Sequence, residues 1–119
     1  MRTQYISFLF FLIMICSCGK ERFVQNDTNC DLSRLTYLGD IKPIIDLNCA
    51  IGGCHDANTG TNNFDYTDYD GLKKAIGSIV NRIERNIDDT LYMPQNKQVL
   101  NICDYNRLKA WIDTGAPFK

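Results

Sequence analysis

A single histidine, His55, occurs in the whole chain. That scarcity closes off several chemistries. Two imidazoles cannot ligate one metal within one copy of the chain, and a Ser-His-Asp hydrolytic set would have to claim the same ring. Excess positive charge is missing too. Thirteen Lys plus Arg stand against 14 Asp plus Glu, whereas a nucleic-acid surface needs a basic face. No nucleic-acid partner is expected. Sustained alternation of apolar and polar residues, the mark of a half-buried strand, is not found. The fold class is therefore read as all-α. Long apolar runs are also lacking: the longest, Tyr5 to Ile15, covers about eleven residues, well short of the ~20 a membrane-spanning helix needs.

That short run has the character of an export signal. Arg2 supplies a positive start, and Ser17 lies immediately before Cys18. Ile15-Cys16-Ser17-Cys18 resembles the bacterial lipobox, in which a small residue precedes the cysteine that becomes lipidated. The resemblance implies residues 1–17 as a lipoprotein signal peptide and Cys18 as the lipid anchor. Residues 18–34 then read as a tether, polar and without periodicity over 19–29, leading to a domain over 35–119. Such a protein is exported and held to a bacterial membrane on its periplasmic or cell-surface side. Disulfides persist in that compartment.

Within the domain the apolar spacing predicts about four short helices. Leu38, Ile41, Ile44 and Ile45 place the first over about Asp40 to Asn48, with Asp40 as cap and Pro43 in the first turn. A capping-box pattern, Thr67-Asp68-Tyr69-Asp70, opens a second that runs to Gly77. Ser78 caps a third carrying Ile79, Ile83 and Ile87. The last starts at Asn101 and carries Ile102, Tyr105, Leu108 and Ile112, with Trp111 beside them, and stops at Gly115. Residues 56–66 and 88–100 read as loops. Asp65, Asp68, Asp70, Asp88 and Asp89 do not follow the alternate spacing of a calcium loop and read as caps and solvated surface.

The chemistry concentrates in Cys49-Ala50-Ile51-Gly52-Gly53-Cys54-His55. Two cysteines followed at once by a histidine are similar to the c-type haem attachment signature, C-x-x-C-H. In that signature two thiols bond the porphyrin's vinyl groups and the imidazole ligates the iron. Here the spacing is C-x4-C-H, so two further residues must bulge, a task to which Gly52 and Gly53 are suited. Two other readings stay open at this point: a local disulfide loop, and half of a zinc site, for which the lone histidine is a poor provision.

Methionine is equally scarce. Of three in the chain, Met1 and Met14 belong to the expected signal, leaving Met93. A thioether is a suitable sixth ligand for a His-bound haem; the alternative is a gap-filling core methionine. Pro94 restricts the residue before it and predicts an extended Met93.

Ile41-Lys42-Pro43-Ile44-Ile45 ahead of Cys49, Cys54-His55, then Tyr92-Met93-Pro94, then Leu108-Lys109-Ala110-Trp111-Ile112-Asp113-Thr114-Gly115-Ala116-Pro117 follow in order over about residues 37–118. Together they resemble the small cytochrome c domains of exported bacterial proteins, related to haem domains of large planctomycete-type cytochromes. The resemblance implies a cytochrome c-like fold around one covalent haem c. Cys49 and Cys54 would carry the thioethers, His55 would be the proximal and Met93 the distal iron ligand. In cytochrome c folds the first and last helices meet, so the resemblance also implies a Cys30–Cys103 disulfide. The function it implies is one-electron transfer to an unidentified redox partner protein, with no catalytic role. Two other functions are weighed against it: a haem-free, disulfide-stabilised structural or binding lipoprotein, and a haem enzyme or gas sensor in which Met93 dissociates.

Overall fold

A computed structural model describes residues 29–96 and 98–119. The expected signal peptide and the lipidation at Cys18 lie outside the described residues. Within them the fold is all-α, with α1 over Lys42–Asn48, α2 over Tyr69–Ile83 and α3 over Ile102–Asp113. Three α-helices take the place of the four expected.

The difference lies in α2, which continues through Gly77 and Ser78. Glycine inside a helix costs only about 1 kcal/mol, and Leu72, Ala75 and Ile79 bury one continuous face across the junction. Ser78 does not cap anything; its Oγ donates to the Ala75 carbonyl at 2.9 Å, within the helix. The N-cap is Asp68, whose carboxylate accepts the Gly71 N–H at 2.7 Å. Thr67 instead donates its N–H and hydroxyl to Asp65.

The helical path into α1 begins earlier than Asp40. Thr36 is the cap, with its hydroxyl accepting from Gly39 N–H, and a π-helical turn over Tyr37–Ile41 runs into α1. Asp40 plays the reciprocal part and accepts the Thr36 N–H at 2.8 Å and hydroxyl at 3.0 Å. A proline ring crowds the carbonyl four residues before it, and the wider turn ahead of Pro43 makes room. It also changes the phase of the apolar stripe. Ile41, Ile44 and Ile45 are buried, but Leu38 is left 59% exposed.

In α3 the Asn101 cap is as expected: its side chain accepts the Asp104 N–H at 2.9 Å and donates to the Asp104 carboxylate at 2.6 Å. The buried residues are Leu108 and Trp111, whereas Ile102 is exposed. Trp111 is the centre of the packing. Tyr37 lies 6.2 Å from it, 5.1 Å from Tyr69 and 5.6 Å from Phe118 between ring centroids. The C-terminal tail is tied to this cluster through Tyr69 Oη donating to the Ala116 carbonyl at 2.7 Å and Trp111 Nε1 donating to that of Pro117 at 2.7 Å.

Cys30 and Cys103 form a disulfide, Cα to Cα 5.3 Å, across a sequence separation of 73. Cross-linking so long a loop contributes about 4 kcal/mol in the chain-entropy account. This arrangement leaves the two long connections, α1 to α2 and α2 to α3, to form the walls of one cavity.

Candidate functional site

The first wall is the segment leaving α1. Cys49 ends that helix, its N–H donating to the Ile45 carbonyl at 2.8 Å. The residues that lengthen the motif are looped out. Cys54 N–H donates to Ile51 O at 3.0 Å, closing a turn, and His55 N–H then returns to Cys49 O at 3.2 Å. Gly53 sits in this turn at φ +84°, a conformation side chains disfavour. Asp56 anchors the loop, accepting from the N–H groups of Gly53, Asn58 and Thr59 at 2.9, 2.9 and 2.6 Å. These hydrogen bonds, Gly53's first after Thr59's, hold its carboxyl below the usual carboxylate range.

His55 is only 8% exposed and is clamped from two directions. Its Nδ1 lies 3.0 Å from the Phe64 carbonyl oxygen. Its ring stacks on Tyr66 at 4.2 Å between centroids and 18° between planes. Tyr66 N–H donates to the His55 carbonyl at 2.9 Å, which keeps the two residues in register. A carbonyl can only accept, so in the neutral ring the proton is on Nδ1 and Nε2 keeps its lone pair. Nε2 has no hydrogen-bond partner among the described residues.

The second wall comes from the connection after α2. Met93 N–H donates to the Arg82 carbonyl at 3.2 Å, which pins the methionine to the last turn of α2. Gln95 Nε2 donates to the carbonyls of Thr90 and Tyr92, at 2.9 and 3.0 Å, and stiffens the loop around it. Asp89 holds the same loop from its start, accepting from Leu91 N–H at 2.7 Å and Arg85 Nη1 at 2.9 Å.

Cys49, Cys54, His55 and Met93 all line the cavity enclosed between these walls. Its volume is about 230 Å³; Ile51, Ile79, Ile83, Pro94 and Leu100 make most of the remaining surface apolar. Both cysteines are free thiols. Burial, with the neighbouring Cys54 adding a smaller effect, pushes the Cys49 thiol up to about 12. Burial likewise pushes the Tyr66 phenol to about 12. Cys49 and Tyr66 are accordingly neutral at neutral pH, and Arg82 brings a full charge to the lining.

Among the described residues no group of three or more His, Cys, Asp or Glu side chains converges to hold a bare metal ion. Three of the acidic residues outside the cavity have structural partners: Asp65 serves Thr67, Asp68 caps α2 and Asp89 pairs with Arg85. No helix of the described residues is long and apolar enough to cross a membrane. The chain matches no protein-family profile, no curated protein and no solved structure.

Three contributors to the site escape a reading of the sequence. The Phe64 carbonyl is a backbone atom in a polar loop and leaves no local signal. Tyr66 is one of six tyrosines, distinguished only by its contact with His55. Arg82 had a detectable signal, since it follows the buried Ile79 by one helical turn and so shares its face.

Proposed function

We propose that the described domain is a c-type cytochrome domain, anchored through Cys18 of an exported lipoprotein, that transfers single electrons through one covalent haem ligated by His55 and Met93. The observation that supports this reading is the meeting of four side chains from two distant loops, Cys49, Cys54, His55 and Met93, on one apolar cavity.

When bound, the haem supplies a metal that cycles between two oxidation states, and four nitrogens of its own. The protein would then need to supply only two more ligands. His55 offers Nε2, with Nδ1 oriented by a backbone carbonyl as is usual for metal-bound imidazoles. Met93 offers a neutral sulfur, which favours the reduced metal and raises the potential. The thiols of Cys49 and Cys54 would hold the haem covalently, each adding S–H across a vinyl group without consuming an oxidant. The turn over Ile51–Cys54 absorbs the lengthened spacing, because the Cys49 carbonyl still reaches the His55 N–H. The cavity is partly open to solvent, so a flat ring would not have to be fully enclosed.

His55 and Met93 together would leave the metal no open site for a substrate, and electron transfer to a redox partner protein would be the remaining role. The test is to produce the chain in a host that matures c-type cytochromes. Red protein whose haem stays with the polypeptide on denaturation, and whose mass includes one haem and a lipidated N-terminus, is the expected result. Colourless protein with Cys49 joined to Cys54 would instead support a haem-free lipoprotein.

A further inference from the structure

Arg82 is the one side chain of full charge among the described residues lining the cavity. It is half-buried in the last turn of α2, and Ile79, Ile83, Tyr66, Met93 and Leu100 line the same cavity. Its guanidinium has no hydrogen bond or ion pair among the described residues. Asp89 is the nearby anion whose charge is felt together with that of Arg82, but its carboxylate is bonded to Arg85 at 2.9 Å and to Leu91 N–H. Partly removing a guanidinium from water without a partner is costly. A helix C-terminus favours a cation, yet that does not satisfy the five donors of a guanidinium.

From these observations we infer that Arg82 anchors a carboxylate of the cavity's occupant, as a cation on the same backbone unit that holds Met93. The inference rests on the haem reading and extends it, since haem carries two propionates on an otherwise apolar ring. Planar bidentate pairing of a guanidinium with a carboxylate is the strong, oriented form of such a contact. It would fix the in-plane rotation of the ring. The Met93 N–H bond to the Arg82 carbonyl then couples that orientation to the position of the sulfur.

The test uses the full chain produced without haem attachment and two fluorescent metal-free probes, protoporphyrin IX and its dimethyl ester. Esterification removes both negative charges and keeps the ring. The wild type should bind the free acid about tenfold or more tightly than the ester, the worth of one charge-assisted hydrogen bond. Arg82→Gln should abolish that preference and Arg82→Lys should retain part of it. Lys109→Gln, which removes one charge outside the cavity, should leave it intact. Far-ultraviolet circular dichroism and thermal melting check that each variant is folded; should Arg82→Gln not fold, the Lys variant against wild type carries the comparison. An equal preference in wild type and Arg82→Gln, or none in wild type, overturns the anchor. Binding of neither probe overturns it as well. In that event red protein from a maturing host keeps the haem reading, and colourless protein removes both.

Discussion

His55 Nδ1 lies 3.0 Å from the carbonyl oxygen of Phe64, nine residues further along a loop. That contact decides which ring nitrogen carries the proton and therefore which one can bind a metal. It also ties the histidine to a loop that nothing in the Cys49–His55 motif specifies. The functional consequences can be tested one feature at a time.

On the proposed haem ligation, Met93→Ala should leave the haem covalently attached and open the sixth coordination position. The reduced protein should then bind carbon monoxide, and the wild type should not. His55→Ala should lose the low-spin absorption spectrum while some pigment persists through the thioethers. Carbon monoxide binding as tight in wild type as in Met93→Ala would speak for a sensor or enzyme with a labile methionine.

Cys30→Ser and Cys103→Ser should each lower stability by about 4 kcal/mol, and the double variant by no more than either alone. Denaturant melts with and without reductant would measure this. An additive double variant would show that the two sulfurs act separately.

Gly71 and Gly77 stand in one helix but should respond oppositely to alanine. At Gly77 a new Cβ meets nothing within 4 Å. Helix propensity alone then operates, and Gly77→Ala should gain about 1 kcal/mol, or some 4–8 °C in melting temperature. At Gly71 a Cβ would run into the Asp65 carbonyl. Gly71→Ala should destabilise the domain and, by displacing the strand of loop that ends in Tyr66, disturb the His55 environment in the absorption spectrum.

Asp89 links acidity to the loop that carries Met93. The Leu91 N–H and then Arg85 hold its carboxyl below the ordinary value of 3.8. A folded-state pKa below the unfolded one means that the unfolded chain takes the proton first as pH falls. The contribution is therefore fully present above about pH 4 and is lost as pH drops through the lowered folded value. Asp89→Asn should weaken the domain at neutral pH and show less additional loss than wild type between pH 4 and 2. Parallel melting curves for the two proteins across that range would remove Asp89 from the account.

Much of this architecture is readable residue by residue. Asn101 with Asp104 marks the start of α3, because a cap needs only groups three positions apart. The loops over 56–66 and 88–100 follow from polar composition. The clustering of Cys49, Cys54 and His55 is local and visible at once. By contrast, the break expected at Gly77 and Ser78 does not occur. A weak local penalty there yields to the burial of Leu72, Ala75 and Ile79 along one face. Leu38 is displaced to the surface by a π turn whose cause, Pro43, acts through the geometry of the preceding carbonyls.

The order of the amino acids determined the helical class, the caps and the supply of sulfur and imidazole, since these depend on neighbours a few bonds away. Only tertiary structure decided that Met93 shares a cavity with His55, that Cys30 meets Cys103, and that Arg82 lines that cavity with no hydrogen bond or ion pair among the described residues. Those relations join segments tens of residues apart. They exist because burial of Trp111, Tyr37 and Leu72 forces the helices together, and burial has no address in the local sequence.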